Sequence, residues 1–132
     1  MDNADIRKAI WQELTDNITT VTAIKTGYTP SAEQTKPYLV IDFTGELPNI
    51  NSPKGMFITF DVLAIGEAGD MLTIDALADS VVSTLHNTDI TTSTGNIIRP
   101  EYRRDGRFDY WSEALQASVI RTAFWLPVDF WT

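Results

Sequence analysis

An α+β fold, with two helices packed on a mostly antiparallel or mixed β-sheet, is what this sequence predicts, and three observations predict it. Two segments repeat apolar residues at three- and four-residue steps, as one buried helix face requires. Two segments between them alternate apolar and polar residues, as a strand covered on one side requires. The C-terminal third alternates again, interrupted by turn-forming residues.

The first helix is expected over Asp5 to Asp16, where Ile6, Ala9, Ile10 and Leu14 form one stripe and Asn3 or Asp5 supplies the N-cap. Trp11 lies beside that stripe and reads as a half-buried residue at the edge of the core. Asn17 to Thr26, rich in Thr and carrying Ile18, Val21 and Ile24, fits either a short strand or a helix tail. Gly27 to Pro37 reads as a loop. Tyr38 to Thr44 sets Leu39, Ile41 and Phe43 against Asp42 and Thr44, which makes a strand. Gly45 to Gly55 carries Pro48, Asn49, Asn51, Ser52 and Pro53, so a long exposed connection is expected there. Met56 to Ile65 then places Met56, Ile58, Phe60 and Val62 on one face and Phe57, Thr59 and Asp61 on the other. This is a second strand, antiparallel to the first.

Gly66 and Gly69 end that strand, and Asp70 is placed to cap the next helix. Ile74, Leu77, Ala78, Val81, Val82 and Leu85 keep the helical period throughout, and Asn87 suits a left-handed residue at the helix end. Thr88 to Gly95 reads as a turn and Ile97 to Arg104 as a strand. Asp105-Gly106 reads as a two-residue hairpin turn, with Phe108 to Ser112 returning as the partner. Leu115, Ala117, Val119, Ala123 and Trp125 share one face of a long last strand over Glu113 to Leu126. Pro127 closes that strand, leaving a short tail with Phe130 and Trp131.

At 132 residues and 43% apolar content, the chain is sized for one domain, 1–132, with one core. It has no Cys, so a thiolate metal site, a disulfide framework and a cysteine nucleophile are excluded. A formal charge of -8 disfavours nonspecific attachment to nucleic acid or anionic lipid, so neither is expected as a partner. The N-terminus lacks the basic start and apolar run of a signal peptide, and no apolar run approaches the roughly 20 residues of a membrane span.

No constellation of residues suggests catalysis. The single histidine, His86, sits where the second helix ends, which accounts for it without a triad. Asp75 and Asp79 lie one helical turn apart, but with Asp61 and Asp70 they read as a solvated acidic surface. Gly66-Glu67-Ala68-Gly69-Asp70 lacks the lysine and spacing of a phosphate loop, and its two acids would repel phosphate. The expectation is a protein that is not an enzyme and has no cofactor.

Charge distribution says more. Between Asp42 and Asp89 there are eight acidic residues and one basic one, Lys54, whereas Arg99, Arg103, Arg104 and Arg107 gather around Asp105-Gly106. Opposite charges on separate elements suit a head-to-tail contact between copies that closes a ring; local pairing of these arginines with Glu101, Asp105 and Asp109 is the simpler alternative. The candidate contact residues are therefore Arg99, Arg103, Arg104 and Arg107 on one side and Asp42, Glu46 and Glu67 on the other. Ile50, at the centre of the Gly45 to Gly55 loop, is added as a residue that orders on a partner.

Taken along its whole length, the chain resembles the tail terminator and tail completion proteins of long-tailed bacteriophages, of the lambda tail-terminator type. The resemblance is carried by Ile6-Arg7-Lys8-Ala9-Ile10 in the first helix, Gly27-Tyr28 and the loop into Lys36-Pro37-Tyr38-Leu39-Val40, and Phe60-Asp61-Val62. The helix ending at Leu85 and the Arg-rich C-terminal strands complete it. It implies a structural protein of the virion tail, assembled in the host cytoplasm. Its copies would form a ring, usually a hexamer, that caps the tail tube and meets the tail-tube and head-completion proteins. It assigns no individual functional residues. The alternatives are a head-completion or tail-tube protein of the same particle, or a small-ligand domain using Tyr102, Tyr110 and His86.

Overall fold

The structure is a computed structural model and describes residues 3–26, 30, 33–48 and 55–129. Its elements in chain order are α1 (Asn3–Asn17), β1 (Ile24–Thr26), β2 (Tyr38–Pro48), β3 (Gly55–Gly66), α2 (Met71–Leu85), β4 (Ile90–Thr91), β5 (Ile97–Ile98), β6 (Glu101–Ser112) and β7 (Ala117–Asp129). One sheet runs in the order β1-β2-β3-β7-β6, and β4 and β5 form a small separate ribbon. Among the described strands only the β1–β2 pair is parallel, with Ile24 opposite Leu39; β2, β3, β7 and β6 are antiparallel in turn. The expected α+β class is therefore what forms.

The helices bury the stripes read from the sequence. Ile6, Ala9, Ile10 and Leu14 of α1 and Ile74, Leu77, Ala78, Val81 and Leu85 of α2 enter one core with Leu39, Ile41, Ile58, Phe60, Val62, Ile120, Phe124 and Leu126. Phe60 stacks on Phe124 at 5.2 Å and touches Phe43 at 5.3 Å. Each such ring, fully buried, stabilises the fold by about 1.5–3 kcal/mol. The one fully buried hydroxyl in the middle of β7, on Thr122, donates to the Val62 carbonyl at 3.2 Å, so its burial leaves no unpaired group. Trp11 packs at the edge of this core, and its indole N–H donates to the Ile24 carbonyl at 2.8 Å, tying α1 to β1.

Four expectations need correction. Asp70 precedes α2, but its side chain caps nothing; the turn is closed instead by the Asp70 N–H on the Glu67 carbonyl at 3.2 Å. β2 runs on to Pro48, so the connection to β3 is shorter than the expected Gly45 to Gly55 loop, whose residues 49–54, Ile50 included, lie outside the described residues. Pro127 does not end the last strand: it sits opposite Phe57, past Trp125, where β6 no longer pairs and a missing N–H costs no ladder bond.

The fourth correction matters most for the surface. Asp105-Gly106 is not a hairpin turn, because β6 passes straight through it, and Phe108 to Ser112 pair with β7. The pairing moves from Tyr102↔Phe124 to Arg107↔Thr122, so Arg103, Arg104, Asp105 and Gly106 stand opposite Ala123 alone: a wide bulge. Glycine is needed there for space. A Cβ on Gly106 would lie 2.8 Å from the Arg103 carbonyl oxygen and 2.9 Å from that of Ala123. The true turn falls at Glu113 to Gln116, where Gln116 takes a left-handed φ of 49°.

Candidate interaction surface

Both helices cover one side of the sheet, which leaves the other side to be read strand by strand. Alternation puts Asp42 of β2, Phe57, Thr59 and Asp61 of β3, Arg121, Ala123 and Trp125 of β7, and Phe108 and Tyr110 of β6 on this open side. At one end a second, smaller core of Tyr38, Val40, Ile65, Ala117 and Val119 is buried with Leu115 packed against it. The face expected to run from Leu115 to Trp125 is thus the open side of β7, and only its first half is sealed.

The other half is a belt of rings and guanidinium groups. Arg103 lies over the Trp125 ring at 5.2 Å and Arg121 over Phe108 at 5.6 Å, while Phe57 meets Trp125 at 5.4 Å and Phe108 meets Tyr110 at 5.7 Å. Phe108 remains 55% exposed, and Tyr110 and Leu47 are also exposed. Rings left in water beside stacked arginines are the composition of an interface centre more than of an ordinary monomer surface.

Electrostatics divide this belt. Asp42 stands directly across from Asp61, an unfavourable pairing of like charges, and only 13% of the Asp61 side chain is exposed. Burial pushes the Asp61 carboxyl above its ordinary range; Arg121, whose Nε lies 3.7 Å away, pulls it back, Asp42 pushes it up again and Arg103 opposes. Asp42 and Asp61 thus mark the β2–β3 half as acidic, while on the β7–β6 half Arg103 and Arg121 stand beside Glu101 and Asp105.

A second charged feature closes the helix side. Arg107 of β6 reaches across to α2, bonding Asp75 through Nη2 and Asp79 at 3.2 Å through Nη1, and Asp109 lies 3.4 Å from its Nε. Burial works against this charge, yet Asp109, Asp75 and Asp79 outweigh it and hold the guanidinium above its already high range. Asp75 and Asp79, read as a solvated pair, are thus the anchor of an edge strand. His86 follows the end of α2, and its Nδ1 accepts the Tyr102 backbone N–H at 2.9 Å, fastening the start of β6 to the helix end.

The expected contact residues do not form one patch. Arg99 is held by Asp89 at 2.7 Å, a hydrogen bond that lowers the Asp89 carboxyl below its usual range and raises Arg99. Arg103 is in the belt, 3.7 Å from Asp105, and Arg104 is in the bulge with its side chain outside the described atoms. Asp42 is on the open face. Glu46 accepts from the Asn3 side chain at 3.2 Å, and Glu67 is exposed in the turn before α2. Sequence reasoning missed Phe57, Asp61, Arg121 and Trp125 as one surface. Alternation alone marks each of them as outward, but only the register between β3, β7 and β6 brings them together.

In fold, the chain is similar to a chain from the virion of a native gene transfer agent particle. The two superpose with a TM-score of 0.71 at 19% sequence identity, covering 96% of each chain. No protein-family profile and no curated protein sequence matches this chain. Among the described residues, no three His, Asp or Glu side chains gather closely enough to hold a metal ion, and no helix is long and apolar enough to cross a membrane.

Proposed function

We propose that this protein is a structural component of a phage-like particle, located in the virion tail. More finely, it is a tail terminator whose copies close into a ring, a hexamer in the simplest case. That ring caps the head-proximal end of the tail tube, stops its growth and joins it to a head-completion protein. The observation that carries this reading is the near end-to-end likeness of fold to a chain of a gene transfer agent virion. The exposed ring-and-arginine belt, a surface that suits burial against another subunit, supports it.

Within the ring, Arg103 and Arg104 at the β6 bulge meet Asp42, Glu46 and Glu67 of the next copy, and Ile50 meets the tail tube or the connector. Arg99 and Arg107 contribute less, because each already holds carboxylates of its own chain. Light scattering over a range of protein concentrations at two salt levels tests the closure. A closed multimer that loosens at high salt is expected. A strict monomer under every condition rules out closure through these charges. Removing the protein from its particle tests the place in the tail: overlong, headless tails are expected, whereas absence of tubes would mark a tail-tube protein and unjoined tails of normal length a head-completion protein.

A further inference from the structure

The five-stranded sheet ends on two unlike strands. β1 has only three residues, too few to template much pairing with another chain. β6 has 12, and its two halves differ. Through Arg103 to Gly106 the bulge breaks the ladder, a common way of keeping an edge from pairing. From Arg107 to Ser112 the strand is regular: it matches β7 residue for residue on one side and, among the described residues, has no strand on the other. Neither Pro nor Lys blunts this half. Arg107, Phe108, Asp109, Tyr110 and Trp111 are all exposed, so the strand projects past the core on both faces. With Phe108 55%, Trp111 44% and Tyr110 38% exposed, it is a flat aromatic edge of the kind that recruits a further strand.

The order of residues along the edge decides which strand. A strand that joins antiparallel and keeps the helices on one side sets residues of the same face opposite one another. For a second copy of β6, four such registers are centred in the regular half. Centred on Arg107 or on Asp109, a charge meets its own copy, which is unfavourable. Centred on Tyr110, neither charge finds an opposite one within the strand. Centred on Phe108, Arg107 of each copy faces Asp109 of the other on the helix side, and the two Phe108 rings meet on the open side, each with Tyr110 and Arg121 of its own chain beside it.

We propose that β6 pairs antiparallel with β6 of a second copy about a two-fold axis at Phe108, so that the sheet continues from one copy into the other. One self-complementary patch then serves both copies. Asp109, 3.4 Å from Arg107 of its own chain, comes to lie between two guanidinium groups. The pair rests on β6 alone. It is separate from the head-to-tail contact of Arg103 and Arg104 and stands whether or not the protein caps a tail.

The chain has no Cys, so one introduced thiol reports one contact. Phe108→Cys, Tyr110→Cys and Trp111→Cys are each treated with a short bis-thiosulfonate cross-linker over a range of protein concentrations, and covalent dimer is read on a non-reducing gel. Phe108→Cys sets its two thiols across the axis, where facing Cβ atoms are about 4.5–5.5 Å apart. Tyr110→Cys sets them four residues apart along the strands, about 13 Å and out of reach, and Trp111→Cys sets them farther still. Capture is irreversible, so even a pair weakened by loss of the ring accumulates. At least about tenfold more dimer is expected from Phe108→Cys than from either control. Adding Asp109→Lys, which puts like charges opposite each other twice, should lower that yield about tenfold. Circular dichroism reports that each variant is folded. Equal yields at the three positions would mean random collision and overturn the proposal. So would no dimer from Phe108→Cys at any concentration, or a yield indifferent to Asp109→Lys. Because the cross-link reads the β6 pair alone, its failure leaves the head-to-tail ring to the light-scattering test.

Discussion

The two faces of the same five strands use apolar residues for opposite ends. Facing the helices, Ile58, Phe60, Val62, Ile120, Phe124 and Leu126 are buried and touch mainly one another. One residue along each strand, Phe57, Asp61, Arg121, Trp125 and Phe108 form the open belt, where rings sit under guanidinium groups and a carboxylate is held in an unfavourable place. The helix face lowers the free energy of the folded monomer. The open face leaves its rings and guanidinium groups half-buried or exposed, and it is the face proposed above to be covered by another subunit. A strand alternating every second residue can therefore encode folding on one side and association on the other.

That division can be broken most forcefully from the helix side. Phe60→Ala removes a ring stacked on Phe124 and touching Phe43, and is expected to cost about 3–5 kcal/mol in urea unfolding. Trp125→Ala, a larger truncation one face over, should cost far less; equal losses would mean that the open face is a second core.

Gly106→Ala tests the bulge that shapes the belt. The added methyl meets two carbonyl oxygens, so a loss of about 1–3 kcal/mol in urea unfolding is expected. Arg107→Ala cuts the tie between β6 and α2. Because Asp79 is 74% exposed and Asp75 43% exposed, the expected loss is only about 1 kcal/mol, and high salt should erase most of it. A loss that ignores salt would show that the aliphatic stem matters and the charges do not.

Asp61→Asn sharpens the comparison through pH. The folded Asp61 keeps its proton to higher pH than the unfolded chain does, so its contribution to stability falls as pH rises from the ordinary value of 3.8 through the raised folded one. The asparagine variant should equal the parent in acid and exceed it by a fraction of a kcal/mol at neutral pH. A less stable variant at neutral pH would mean that the Arg121 ion pair dominates. The smallest expected effect on stability, within about 0.5 kcal/mol, belongs to Phe108→Ser, yet this substitution should weaken self-association measured by light scattering.

The helices, β2 and β3 were legible because each is fixed by its own periodicity: Ile74 to Leu85 and Leu39 to Phe43 state their buried faces without help from distant residues. The misreadings share a different cause. Asp105-Gly106 has the composition of a hairpin turn, but glycine also serves where two backbones crowd, and only the approach of Ala123 decides between the two. Pro127 reads as a stop until β6 is known to begin at Glu101 and so to leave that side of β7 open. Arg107 and its aspartates lie far apart in sequence, so their charges read as separate surfaces although they meet in one chain. The Arg103–Trp125 contact was invisible for the same reason, since it exists only where a bulge on one strand faces a ring on the next.

The central ladder carries one more consequence. β3 is 12 residues long and is bonded along nearly its whole length to β2 on one side and to β7 on the other. Those bonds lie across the strand direction, so a pull along β3 loads both rows in shear and must break many at once, whereas a pull across the sheet would unzip them singly. The molecule is thus mechanically anisotropic, stiff along its strands and weaker at its β6 edge, and its orientation within an assembly determines which of the two resistances bears the load.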